Sequence, residues 1–262
     1  MRVHFKSFWP THNAGTCHLA ALLRRRWDAE AVSSEADLCI CSVFGDIGPD
    51  KCPSIFYSAE PTEWDHPGFD LRLTFDRDES GNGLHCPNHC VHVDVDADEA
   101  VTMRDSSPGW YERWGVDYIY RHGLGMRSSA LRVLGAAGEK IRSLSEDQRG
   151  LIGFAGKAPL QRTTRWSIAM EKFRKPGYVS EKIMDALLSG AVPIYHGDLG
   201  VGLDFNEAAF IHIRDKSELA ALPELLTRDR WEACRAAPMF PDGKPPPCWD
   251  RDRLLNAIEA IL

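Results

Sequence analysis

An α/β protein built of two doubly wound parallel domains facing each other is the architecture this sequence predicts, and three observations predict it. In the first half, short apolar runs alternate with a helical pattern. In the second half, the stretch GYVSEKIMDALLSGAVPIYHGD, Gly177 to Asp198, joins a helix directly to a buried strand, which is half of a parallel α/β unit. Neither half has a glycine loop of standard nucleotide-binding spacing. GFAGKA carries a Gly-Lys pair but lacks the first glycine of a P-loop and the Ser/Thr after the lysine, and no G-x-G-x-x-G follows a strand.

The elements follow in order. Arg2 to Phe5 reads as a strand and Cys17 to Trp27 as a helix, with strands at Asp37 to Phe44, Ser54 to Glu60 and Leu71 to Asp76. The loops Phe8 to Gly15 and Ala59 to Gly68 leave the carboxyl ends of strands, where open α/β sheets hold ligands. From Asp94 to Gly115 the chain turns acidic, then aromatic and Pro/Gly-marked, which places a linker there and divides the chain into domains 1–115 and 116–262. Beyond it, Ser128 to Ala137 reads as a helix, LIGFAG (Leu151 to Gly156) and WSIAM (Trp166 to Met170) as strands, and Ala209 to Ile213 as a strand. Helices are expected over Ser217 to Thr227 and Asp250 to Leu262.

The segment from Gly177 is the most informative. Ile183, Ala186, Leu187 and Ala191 recur at helical spacing, so a helix spans about Val179 to Ser189, stops at Gly190 and hands over to the strand Val192 to Tyr195. A helix start offers unpaired N–H groups and partial positive charge. Lys182 in the first turn adds a full charge, which suits an anion such as phosphate. The helix pattern by itself is equally compatible with Glu181 and Lys182 as solvated first-turn residues.

Composition narrows the function classes. With 262 residues and 44% apolar content, the chain has the length and make-up of a globular protein of two ordinary domains. A formal net charge of −7 lacks the basic excess of a general nucleic-acid binder. No apolar run reaches the length of an integral membrane segment and the first ten residues lack a signal peptide's apolar core, so the expected location is cytoplasmic. The eight cysteines are then expected to be reduced thiols. HCPNHCVH, His85 to His92, clusters metal-ligand types, but its spacing is not that of a standard zinc knuckle. No second ligand pair stands elsewhere, so the expectation is a loop with half-buried thiols and no metal.

Trp166 to Asp215 resembles the donor-binding signature of the α-1,3/1,4-fucosyltransferases, glycosyltransferase family 10: GYVSEK, AVPIYHG, LDFN and AFIHI stand in the family's order. CSVFG (Cys41 to Gly45) and IFYSAE (Ile55 to Glu60) resemble the family's paired strands leading to its catalytic glutamate, while the likeness is weak between Gly81 and Gly125. The resemblance implies a GT-B-like fold of two facing Rossmann-like domains, GDP-fucose as donor, a glycan or glycoconjugate acceptor, and inversion at the sugar carbon with neither metal nor cofactor. Carried over, Glu60 matches the general base, Tyr178 and Glu181 match donor-contacting residues, Lys182 a diphosphate contact and Arg127 the phosphate-binding arginine.

The chemistry gives each role a reason. A hydroxyl attacking a sugar carbon must lose its proton, and one carboxylate does this in a single displacement. The departing diphosphate gains negative charge, which Arg127 and Lys182 would neutralise, while Glu181 would accept hydrogen bonds from ribose hydroxyls. The family's Phe-Glu-Asn reads Met170-Glu171-Lys172 here, so Glu171 stays a donor-site carboxylate while a cation replaces the donor-contacting amide. Lys172 is either a third phosphate contact or an outward-turned strand-end lysine. Two function classes follow: a fucosyltransferase or a relative using another nucleotide sugar, and a non-catalytic nucleotide-sugar-binding protein.

Overall fold

The structure, a computed structural model, describes residues 1–9, 12–61, 67–120, 125–145 and 153–262. They form two compact units, Met1–Asp94 with Pro247–Leu262, and Val95–Pro246.

The first unit contains β1 (Arg2–Lys6), α1 (His18–Arg24), β2 (Glu30–Ala31), β3 (Leu38–Cys41), β4 (Ser54–Tyr57), β5 (Leu71–Thr74), β6 (Gly83–His85) and α2 (Asn88–Val91). Its sheet is parallel throughout, in the order β2-β1-β3-β4-β5-β6. Every residue of β3 and β4 is buried, as expected where a parallel sheet is covered on both faces.

The second unit contains α3 (Ala97–Asp105), β7 (Trp114–Tyr120), α4 (Met126–Ala136), β8 (Ile141–Ser145), α5 (Gly153–Gln161), β9 (Thr164–Met170), α6 (Glu181–Leu188), β10 (Val192–His196), β11 (Ile211–His212), α7 (Leu222–Leu225) and α8 (Arg228–Ala236). The final helix, α9 (Arg251–Glu259), belongs to the first unit. The second sheet is also parallel, in the order β11-β10-β9-β7-β8. Counted within each unit, both sheets wind second–first–third–fourth–fifth, and the first adds a sixth strand. The winding therefore reverses between β1 and β3 in one and between β7 and β9 in the other, and such reversals open the crevices where doubly wound sheets bind ligands.

The expected division at residue 115 is corrected at both ends. Asp94 to Gly115 is not a linker: α3 lies within it, and two of its arginines, Arg104 and Arg113, are buried donors. Arg104 gives hydrogen bonds to the carbonyls of Cys234, Arg235 and Ala237 at 2.7, 3.1 and 2.8 Å. Arg113 gives them to Pro108, Gln161, Thr164 and Ser189 at 2.7–3.1 Å. Polar composition read as a linker is here internal stapling. At the other end α9 returns to the first unit, where Arg26 donates to Asn256 and Glu259 at 2.6 and 3.0 Å.

LIGFAG is not a strand where the structure describes it. Gly153 opens α5, whose buried Lys157, Ala158 and Gln161 share one helical face; a short apolar run does not distinguish strand from helix. The helix expected over Ser217 to Thr227 is a 3₁₀ segment, Lys216–Ala221, followed by α7. β7 carried little strand signal because its sequence, WGVDYIY, places a glycine and a charge in the interior. The charge is accommodated: Asp117 is fully buried and accepts hydrogen bonds from the hydroxyls of Thr164 and, at 2.6 Å, Ser167. Burial raises its pKa, and these bonds partly offset the rise. Among the described residues no helix is long and apolar enough to cross a membrane.

Candidate functional site

The site of the second unit grows from the start of α6. Ser180 is its N-cap, with backbone extended and side chain accepting from the Lys182 N–H. Glu181 in the first turn complements the helix dipole. From Ile183 to Leu188 every residue is buried, so packing sets the direction of the helix. Its far end is set by Gly190 at φ +71°, where a Cβ would lie 1.7 Å from Ser107 Oγ.

Glu171 follows the last residue of β9 and is 3% exposed. Its Oε1 accepts from the Ser180 N–H at 2.9 Å and the Ser180 hydroxyl at 2.6 Å, and its Oε2 lies 3.2 Å from Lys182 Nζ. The Lys182 ammonium is thus the neighbour of Oε2, which is buried and has no further donor among the described residues. A Cβ at Gly197 would sit 2.3 Å from the Tyr195 hydroxyl and 2.8 Å from Glu171 Cγ, so glycine lets the β10 loop pass these two side chains.

Lys182 Nζ donates to Ser180 Oγ at 2.8 Å and lies 3.4 Å from Glu181 Oε1. Burial works to lower its pKa, but the negative charges of Glu171 and Glu181 outweigh this, with Arg127 opposing them, and the ammonium is held above its ordinary value. Arg127, buried in the first turn of α4, donates from Nε to the Met170 carbonyl at 2.8 Å, across the β7/β9 reversal of the sheet. Arg127, Glu171, Glu181 and Lys182 are thus brought together at the sheet's crevice. Tyr178, 7% exposed, lies two residues before the N-cap, its N–H bonded to the Lys175 carbonyl at 3.1 Å. Lys172 is exposed, with its ammonium 4.9 Å from the Phe173 ring.

Sequence reasoning missed two members of this cluster. Lys157 on α5 is buried, 3.1 Å from Asp185 Oδ2 and 3.7 Å from Glu181 Oε1. Glu181 is therefore shared between two lysines. The available signal was the i,i+4 pair Glu181/Asp185, two carboxylates on one face of a largely apolar helix, which require cations opposite them. Lys157 was set aside with the rejected P-loop pattern.

Glu60 belongs to the first unit. β4 ends at Tyr57, so Glu60 lies in the following loop rather than on the strand; it is half-buried, and its carbonyl accepts from Ser58 Oγ at 2.9 Å. Glu63 and Asp65, further along the same loop, lie outside the described residues. At the β1/β3 reversal of this sheet stands an aromatic group that the sequence did not announce. Phe8 stacks on His12 at 4.1 Å and Trp9 meets Phe44 edge-on at 6.1 Å. Trp9 and Phe44 stay 40% and 47% exposed, which leaves apolar ring surface open to a ligand.

No family model matches this chain. The α-(1,3)-fucosyltransferase FucT of Helicobacter pylori is 39% identical over 51 residues, which are 20% of this chain and 11% of that protein. The match thus spans about a tenth of the curated relative's length. A solved structure of α1,3-fucosyltransferase with GDP-fucose superposes with a TM-score of 0.75, covering 99% of this chain and 89% of that one at 15% identity. One with GDP gives 0.76 at the same identity and coverage.

The chain resembles the α1,3-fucosyltransferases and has their GT-B-like fold. At 15% identity the structural likeness concerns the fold, so the roles of individual side chains rest on their own geometry. That geometry offers Arg127 and Lys182 as cations for a phosphate group, and Glu171 and Glu181 as acceptors for hydroxyls.

Proposed function

We propose that this protein is an inverting glycosyltransferase that moves L-fucose from GDP-fucose to a hydroxyl of a glycan or glycoconjugate, in α-1,3 or α-1,4 linkage, with no metal at the reacting centre. The observation that carries the reading is the cluster of Arg127, Glu171, Glu181 and Lys182 at the crevice of the second sheet. Its buried acceptor, Glu171 Oε2, suits a donor hydroxyl, and its two cations suit a diphosphate. The fold shared with α1,3-fucosyltransferase supports the same reading.

In the proposed reaction the acceptor oxygen attacks the sugar carbon while Glu60 takes its proton. The bond from that carbon to the phosphate oxygen breaks, its electron pair leaves with the diphosphate, and Arg127 and Lys182 meet the new charge. An interaction that strengthens as the leaving group departs lowers the barrier without over-stabilising the bound donor. Tyr178 shapes the donor pocket, and the exposed rings of Trp9 and Phe44 offer a sugar acceptor apolar faces to stack on.

The test is a panel of nucleotide sugars and glycan acceptors, with release of the nucleotide as readout. Release with GDP-fucose and an acceptor, absent when either is omitted, supports the proposal. Release with a different nucleotide sugar would reassign the donor, for which Lys172 in place of an amide gives a specific reason. Binding across the panel without release favours a non-catalytic nucleotide-sugar-binding protein.

A further inference from the structure

His89, Cys90 and Cys248 are all buried, and one potential ligand atom from each lies within 4.8 Å of the others. Two come from α2 and the third from the far end of the chain, where Pro247–Leu262 rejoins the first unit. Cys90 Sγ lies 3.5 Å from His89 Nδ1. In a tetrahedral zinc site, bonds of about 2.3 Å to sulfur and 2.0–2.1 Å to nitrogen set that edge at about 3.6 Å. Cys86, 2% exposed, lines the same narrow crevice as Cys248 but stands outside this group of three, whose fourth position is left to a water or to a thiol that moves in.

We propose that His89, Cys90 and Cys248 form a structural site for a thiophilic divalent metal, with zinc the ion that this ligand set prefers. Binding displaces the thiol protons to solvent. Two thiolates balance the charge of a dication, and the imidazole ligates it in its neutral form. Trp249 stacks against the His89 ring at 6.1 Å and holds its orientation. The spacing in HCPNHCVH looked incomplete because the remaining ligand is supplied by folding. The metal would clamp the segment leading into α9 onto α2, so that the first unit closes only when the end of the chain has returned to it.

The full chain, purified without a histidine tag, is assayed for metal by mass spectrometry and then reconstituted with Co²⁺. The expected result is one zinc per chain and, with cobalt, the intense sulfur-to-metal absorption of tetrahedral thiolate ligation. Cys90→Ala and Cys248→Ala abolish both, His89→Asn weakens binding by about 10- to 100-fold or more, and Cys52→Ala, outside the cluster, leaves both unchanged. Lys182→Met leaves the metal content unchanged too, because the donor cluster is in the other unit, so this inference and the proposed transferase activity fail separately. If the Cys248 variant does not fold, the cobalt spectrum of the parent and of His89→Asn decides. Absence of stoichiometric metal, absence of the thiolate band, or a Cys90–Cys248 disulfide would overturn the proposal.

Discussion

Replacing Lys182 by Met separates two things this residue can do: meet a diphosphate, or hold Glu171. Its ammonium lies 3.2 Å from Glu171 Oε2 and 3.4 Å from Glu181 Oε1. At an effective dielectric constant of about 20, each such contact carries about 5 kcal/mol of Coulomb attraction before desolvation is subtracted. A Lys182 side chain 29% exposed and a Glu171 side chain at 0% make this a mostly buried pair, and losing one partner of such a pair costs about 3–5 kcal/mol. Lys182→Met is therefore expected to lower unfolding stability in denaturant, and adding Glu171→Gln should return part of the loss by removing the uncompensated carboxylate. Ligand binding reports the other role. A charge-assisted hydrogen bond to phosphate is worth about 1.5–3 kcal/mol, so GDP affinity should fall about 10- to 150-fold in the folded variant. Guanosine, which has no phosphate, should bind as before. Isothermal titration of both ligands against parent and variant measures the difference. Equal weakening of GDP and guanosine, or no weakening of either, would refute the diphosphate contact and leave Lys182 as a support for Glu171.

Glu60→Gln keeps the size of the side chain and removes its basicity; donor affinity should stay within about twofold while single-turnover transfer falls about a hundredfold or more, the scale of general-base catalysis. Equal losses of affinity and rate would make Glu60 a binding residue. Transfer should proceed at the same rate whether Mg²⁺ or Mn²⁺ is added or omitted, because the proposed diphosphate contacts are Arg127 and Lys182; strict dependence on either ion would reject the cationic clamp. Asp117→Asn tests the buried charge of β7. Its folded pKa is raised, so the aspartate's contribution to stability is fully present below the unfolded value near 4 and is lost as pH rises through the folded value. The Asn variant lacks that loss, and its stability relative to the parent should grow with pH over that interval and then level off. Denaturant melts across the interval check this, and a difference that is flat or shrinks with pH would contradict the assignment.

The helix Glu181–Leu188, its glycine stop and the strand Val192–His196 were legible in the sequence because their determinants are local, one period of apolar residues and a residue able to adopt positive φ, whereas the helix start was read two residues early, at Val179, before the Ser180 cap was in view. The parallel α/β class was legible for the same reason, since alternating short runs leave a chain few other ways to bury them. Glu171, Glu181, Lys182 and Arg127 could be named from local pattern and resemblance, but not paired. Their partners are set by the register of β9 against β7 and by α5 packing on α6, and Lys157 enters the cluster only through that packing. Buried charge misled the reading elsewhere: Asp117, Arg104 and Arg113 look like surface or linker residues until the carbonyls and hydroxyls that satisfy them are in place. The return of Arg251–Glu259 to the first unit, and with it the meeting of Cys248 with His89 and Cys90, had no local signal at all. A side chain's neighbours along the chain set its backbone conformation, whereas its neighbours in space, which supply its charge partners and co-ligands, exist only once distant segments have packed.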